Sequence, residues 1–196
     1  MDWAARTRGA LAHKGGPSSD FDLNPGTVLP EGRRLREAGV LAAVEDTAQG
    51  PRLLLTKRSS ALKHHPGQIA FPGGKVDPAD DGPIAAAKRE AREEIGLPDD
   101  NVEVIGTLPP HETVTGFVVT PVIARVRAPF TRVAEPGEVA EVFSVPLAHV
   151  LRAENFMVEG RRWRGARRHY YAVPYGPYYI WGATARMLRA WADLMT

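Results

Sequence analysis

The segment Ile84–Leu97, IAAAKREAREEIGL, restricts what this chain can build more than any other stretch. Ile84, Ala87, Ala91 and Ile95 recur at helical spacing, and their small side chains suit a helix lying close against a sheet. Asp80 or Asp81 is placed to cap its start, Pro83 falls in its first turn, and Gly96 followed by Pro98 ends it. At 100° per residue, Glu90, Glu93 and Glu94 fall within an arc of about 100° beside that apolar stripe. The helix thus buries one face and offers a carboxylate cluster on the next.

Such a cluster has two readings. One is a solvated charged face, with Arg89 and Glu93 as an i,i+4 pair. The other is a cation site. Like charges three or four residues apart repel, more so in a cleft of low dielectric, and a hard divalent cation turns that repulsion into binding. The chain has no cysteine, which excludes disulfides, thiolate metal sites, a Cys nucleophile and iron–sulfur clusters. A metal would therefore be held by oxygen or imidazole.

With 196 residues, 43% of them hydrophobic, the chain suits one ordinary domain with a real core. Its net charge of +2 does not point to nucleic acid. No apolar run approaches the ~18 residues of a membrane span, and the N-terminus lacks the apolar centre of a signal peptide. The expectation is a cytoplasmic protein with no membrane partner and no nucleic-acid partner.

Along the chain, residues 1–35 read as an N-terminal extension or adapter outside the core. They hold a short helix at Trp3–Ala12 and turn-rich sequence from Gly15 to Gly26. Residues 36–196 read as the main domain. GVLAAVE (Gly39–Glu45) and RLLLTKR (Arg52–Arg58) are expected as a strand pair, and QIAFPGGKV as a strand broken at Pro72-Gly73-Gly74. Strands are further expected in NVEVIGTL, GFVVTPVIARVRA and EVAEVFSVPL, with Val118–Arg127 largely buried. Leu147–Leu151 reads as a short helix, RRWRGARRHYYAVPY as a hairpin around Gly165, and Ala183–Leu194 as a closing helix. This is an α/β domain with a mixed sheet and helices on both faces.

Gly74 stands 15 positions before Arg89, where glycine lets the backbone approach a ligand and a bared carbonyl join a cation. With Arg89, Glu90, Ala91, Glu93, Glu94, Gly96 and Leu97, it resembles the signature of the Nudix hydrolases: Gly, five residues, Glu, seven residues, Arg-Glu, an apolar residue, any residue, Glu-Glu, any residue, Gly, an apolar residue. Asp80 stands where the family usually has its first Glu, and one extra residue separates it from Arg89. The resemblance implies a Nudix-type α/β/α sandwich, a structural Asp80–Arg89 pair, and a loop at Asp81–Pro83 absorbing the insertion. It also implies Mg²⁺ or Mn²⁺ held by Glu90, Glu93, Glu94 and the Gly74 carbonyl, with Arg89, Glu93 and Glu94 as the catalytic set.

Upstream, LLTKRSSALKHHPGQIAFPGG (Leu54–Gly74) is similar to the signature of the coenzyme A pyrophosphatase branch. Lys63 replaces the Arg of that pattern, exchanging a planar fork for a point charge. TGFVVTPVIARV and IWGATARML extend the similarity, which covers about Leu35 to Leu194. It implies hydrolysis of the coenzyme A diphosphate to 3′,5′-ADP and 4′-phosphopantetheine, with Arg58, Lys63, Gly67 and Phe71 on the substrate. Two alternatives stay open: hydrolysis of another nucleotide, such as ADP-ribose or a dinucleoside polyphosphate, and a non-catalytic nucleotide-sensing module. Glu94, Glu112 and Glu141 are candidates for the general base. His64, His65, His111 and His149 are assigned no role, and Arg161, Arg162, Arg164, Arg167 and Arg168 read as a charged exposed hairpin. The N-terminal segment is a candidate for contacts in a homodimer.

Overall fold

A computed structural model describes residues 2–13, 15–62, 65–163 and 165–196. In chain order its elements are α1 (Trp3–Leu11), β1 (Ser18–Ser19), β2 (Arg36–Thr47), β3 (Gly50–Arg58), β4 (Ile69–Ala70), β5 (Gly73–Lys75) and α2 (Gly82–Ile95). They continue with β6 (Val102–Thr107), β7 (His111–Glu112), β8 (Phe117–Val126), β9 (Val139–Pro146), α3 (Leu147–Val150), β10 (Met157–Trp163), β11 (Ala166–Ala172) and α4 (Gly182–Leu194).

At the centre, β2 and β8 run parallel from Arg36 opposite Phe117 to Glu45 opposite Val126. The main path of the sheet is β1-β7-β8-β2-β3-β4, with β5 on β2, β6 on β8 and β9 on β3. Because strand side chains alternate in direction, consecutive residues of one strand serve two cores. Leu41, Ala43, Leu54, Val122 and Ala124 pack with Ala87, Ala91 and Ile95 of α2. Ala42, Val44, Leu53, Leu55 and Ile123 pack with Ala185, Leu188 and Trp191 of α4. The result is the expected mixed sheet between helices.

The first 35 residues depart from the adapter reading. Ala4 and Leu11 of α1 belong to the α4-side core, and the buried Trp191 indole donates to Thr7 Oγ1 at 3.3 Å. The short helix expected at Trp3–Ala12 is present, and tertiary packing against α4 fixes it in place. Farther on, Ser18 Oγ and Asp20 Oδ1 lie 2.9 and 3.1 Å from the two ring nitrogens of His111, which is wholly buried. Those bonds fasten β1 to β7, giving His111 a structural task.

Helix α2 differs from expectation at its start. Neither acid caps it through its side chain: Asp81 is the N-cap residue without a cap hydrogen bond, and the Asp80 carboxylate is engaged by Arg89 and by the Asp77 N–H. Ile84 is 40% exposed, so the buried stripe consists of Ala87, Ala91 and Ile95 with Ala86. The helix ends as expected at Gly96, whose φ of 72° is left-handed. The helix reaches the sheet at Gly39 of β2, where an added Cβ would lie 1.9 Å from the Pro83 carbonyl oxygen. The hairpin around Gly165 forms as β10 and β11, separate from the main sheet.

Candidate active site

The site is assembled where the Pro72-Gly73-Gly74 turn meets α2. β5 pairs with β2 through Val40 opposite Gly73 and Gly39 opposite Gly74, which sets the two glycines directly against the helix. Glu94 is 6% exposed, and its Oε2 accepts the Gly73 N–H at 3.2 Å. Gly74 lies beside Glu90: a Cβ there would stand 2.3 Å from Glu90 Oε1. That clash involves the far end of a flexible side chain and not backbone. Gly74→Ala is therefore expected to fold normally while displacing Glu90, weakening Mn²⁺ binding by about 10–100-fold in a calorimetric titration.

Arg89 organises the remaining acids. Its Nε and Nη2 make a fork with Asp80 Oδ1 and Oδ2, both at 3.0 Å. Nη1 reaches Glu90 Oε1 at 3.0 Å and Glu93 Oε2 at 3.2 Å, and Nη2 also reaches the Lys75 carbonyl at 3.2 Å. The Asp80–Arg89 pair thus forms despite both the shorter side chain and the inserted residue, because Asp80 sits on the turn leading into α2. The hydrogen bonds from Arg89, joined by the Asp77 N–H, hold the Asp80 carboxyl below the usual carboxylate range. A carboxyl depressed in the folded state stabilises above its unfolded pKa, and that contribution disappears as pH falls. The difference in Tm between the wild type and Asp80→Asn is accordingly expected to stay level from about pH 7 to pH 5 and to shrink only as pH falls below about 4; a difference that stays constant down to about pH 2 would contradict the pairing.

Glu94 is shifted the other way. Burial pushes its carboxyl up to about 8, with the charges of Glu90 and Glu138 adding to the effect and the Gly73 N–H and Arg58 opposing it. Burial likewise raises Glu90, Arg89 opposing and Glu93 and Glu138 adding. Among the described residues Glu94 forms no ion pair. A buried carboxylate without a cationic partner, facing further carboxylates, has the donor chemistry a hard divalent cation requires. Among the described residues, no three acidic or imidazole side chains converge closely enough to ligate one ion. Arg89 holds Glu90 and Glu93 together, and Glu93 is largely exposed.

Glu138, which no pattern in the sequence singled out, joins this group. It precedes β9 in a loop whose Glu135 N–H bonds the Glu94 carbonyl at 3.1 Å, and its own carbonyl accepts the Ser59 N–H at 2.8 Å. Only the β3–β9 pairing brings it here. Of the other acids considered as bases, Glu112 is paired with Arg33 and Glu141 accepts the Tyr178 hydroxyl.

The upstream residues divide. Arg58 ends β3 within the electrostatic reach of Glu94, and its Nε is buried without a hydrogen-bond partner among the described residues. Its backbone closes the following loop, with Arg58 N–H on Gln68 O at 2.9 Å and Gly67 N–H on Arg58 O at 3.1 Å. Gly67 is exposed with φ 70°. Phe71, expected on the substrate, is 5% exposed and packs in the α4-side core. Lys63 and His64 lie outside the described residues. His149 is taken up by the Pro174 carbonyl and Asn155.

The fold and the glycine–carboxylate arrangement on α2 define a class. The NUDIX domain family model matches residues 35–164, and the chain belongs to the Nudix family. It is 44% identical over 171 residues to a Citrobacter koseri protein named "Uncharacterized Nudix hydrolase NudL", covering 87% of this chain and 88% of that one. An Enterobacter protein of the same name is 45% identical over 154 residues, covering 79% and 80%. Among solved structures, the chain is similar to the Nudix hydrolase RenU of M. smegmatis, with a TM-score of 0.51 and 26% identity over 62% of this chain and 83% of that one. The chain is a Nudix hydrolase.

Proposed function

We propose that this hydrolase cleaves the diphosphate of coenzyme A or a derivative, releasing 3′,5′-ADP and 4′-phosphopantetheine, in the cytoplasm and with Mg²⁺ or Mn²⁺ as cofactor. The observation that carries the substrate reading is Arg58. A buried guanidinium nitrogen with no acceptor among the described residues, set beside the acids of α2, suits an anionic oxygen, and the phosphates of such a substrate supply one. The spacing of Leu54-Leu55-Thr56, Arg58-Ser59, Gly67 and Phe71-Pro72-Gly73-Gly74 supports the same substrate.

Glu90 and Glu94, with Glu93 and the Gly74 backbone, are the residues that would hold the cation. When bound, such an ion neutralises diphosphate charge and makes a water more acidic. The protein's own groups do the rest. Arg89 fixes the rotamers of Glu90 and Glu93, Gly73 orients Glu94 through its N–H, and Arg58 draws in a phosphate oxygen. Glu138 adds a carboxylate on the exposed side of the cluster, in a position to accept a proton from water.

Arg58→Ala is expected to raise KM for coenzyme A about 10–100-fold with a smaller change in kcat, since an arginine on a phosphate contributes mainly to binding. Steady-state kinetics on a panel of coenzyme A, its thioesters, NADH, ADP-ribose and a dinucleoside polyphosphate, with and without Mg²⁺ or Mn²⁺, tests the reading. Preferred turnover of ADP-ribose would overturn it.

A further inference from the structure

The β10–β11 hairpin places like charges directly opposite one another. Arg161 pairs with Arg168 and Arg162 with Arg167, an arrangement that costs stability in an antiparallel ladder. From Gly160 to Ala172 the sequence has five arginines and no acid. The nearest one along the strand is Glu159, opposite Tyr170.

One face of this ladder adjoins aromatic rings. The Arg161 guanidinium lies 5.4 Å from the Trp181 ring centre, Tyr170 and Trp181 are 5.0 Å apart at 59°, and Tyr179 is 43% exposed. Arg168 lies 5.9 Å from the ring of Phe21. Guanidiniums paired across the ladder beside half-buried aromatic rings suit a phosphorylated nucleoside: the rings offer a stacking surface for the base and the guanidiniums offer donors to a phosphate.

This face connects to the active site through a short line of contacts. Ala172 bridges to Trp181 at the base of the hairpin. Gly182, next to Trp181, approaches Gln68 so closely that a Cβ there would stand 3.6 Å from Gln68 Nε2. Gln68 in turn accepts the Arg58 N–H. These contacts tie the base of the hairpin to the backbone of the loop that follows Arg58.

We propose that Arg161 and Arg168, with Trp181 and Tyr170, form the subsite for the nucleoside end of the substrate and select a phosphate on its ribose in addition to the diphosphate. The inference rests on the coenzyme A reading for the identity of that nucleoside. It deepens that reading by assigning 3′-phosphate discrimination to a hairpin outside the Nudix signature. The near-neutral net charge of the chain fits a single small anion better than a nucleic-acid strand, which needs a longer basic track.

The test is calorimetric titration of the full chain with 3′,5′-ADP and with 5′-AMP, which needs no turnover. The wild type is expected to bind 3′,5′-ADP at least about tenfold more tightly. Arg161→Gln, and Arg161→Gln with Arg168→Gln, are expected to reduce that preference to within about twofold while keeping the wild-type far-ultraviolet spectrum and Tm. With coenzyme A and 3′-dephospho-coenzyme A as substrates, the same variants are expected to equalise the two KM values without lowering kcat. Equal binding of the two nucleotides by the wild type, or an undiminished preference in the folded variants, overturns the proposal. So does loss of single-stranded RNA binding in the variants with nucleotide preference intact. A chain that discriminates the two nucleotides through Arg161 yet leaves coenzyme A uncleaved supports the subsite and refutes the diphosphatase reading, so the two failures are distinguishable.

Discussion

Glu94→Gln is expected to lower kcat about 1,000-fold or more, equivalent to about 4 kcal/mol of lost transition-state stabilisation. The amide keeps the size of the side chain and still accepts the Gly73 N–H, so the metal-free protein is expected to melt within about 2 °C of the wild type. What the substitution removes is the one deeply buried carboxylate of the cluster, which has no ion pair among the described residues. Steady-state kinetics at saturating Mg²⁺ and at saturating Mn²⁺ separates lost affinity from lost chemistry. Near wild-type turnover would remove Glu94 from the metal site.

Gly39→Ala is expected to have the largest effect on stability, at least about 3 kcal/mol, against the 5–15 kcal/mol that holds a typical domain together. The added methyl would lie 1.9 Å from the Pro83 carbonyl oxygen and 2.8 Å from its carbon. Both are backbone atoms of α2, so relief requires the helix to lift from the sheet. That would part Ala87, Ala91 and Ile95 from Leu41 and Leu54 and carry Glu90 and Glu94 away from the Gly73-Gly74 turn. A fall in the urea midpoint at unchanged slope, together with weaker activation by metal, is the expected signature. Gly9→Ala serves as the control, because Gly9 lies in α1 with nothing near its absent Cβ and alanine is the better helix former. An unchanged midpoint for Gly39→Ala would contradict the close approach of α2 to β2.

These two substitutions also mark how far the sequence reaches. The Asp80–Arg89 pair was implied only by the resemblance to the Nudix signature, whereas the helix from Ile84 to Ile95 and its end at Gly96 were legible because each depends on residues close in sequence or at helical spacing. So were the long strands, whose apolar runs feed two cores at once. The two-residue strands β1 and β7 were not, since an element that short carries no period. Nor was the burial of Ala4 and Leu11, a consequence of α1 meeting α4 across nearly the whole length of the chain.

At the site, the carboxylates of α2 follow from spacing alone, but their unequal environments do not. Glu94 is buried and Glu93 exposed although they are neighbours in sequence, because α2 turns one toward the glycine backbone and the other toward solvent. Glu138 reaches the cluster only through the pairing of Arg58 with Val139, a contact across eighty residues that local pattern does not encode. The burial of Phe71 was not legible either, because the ring's place in the α4-side core depends on contacts with distant elements.

The most direct test is identification of the products when the full chain is incubated with coenzyme A and Mn²⁺, followed by mass spectrometry. The expected result is stoichiometric 3′,5′-ADP and 4′-phosphopantetheine, absent when the metal is chelated and absent with Glu94→Gln. Intact coenzyme A under conditions in which the same preparation hydrolyses ADP-ribose would contradict the proposed substrate.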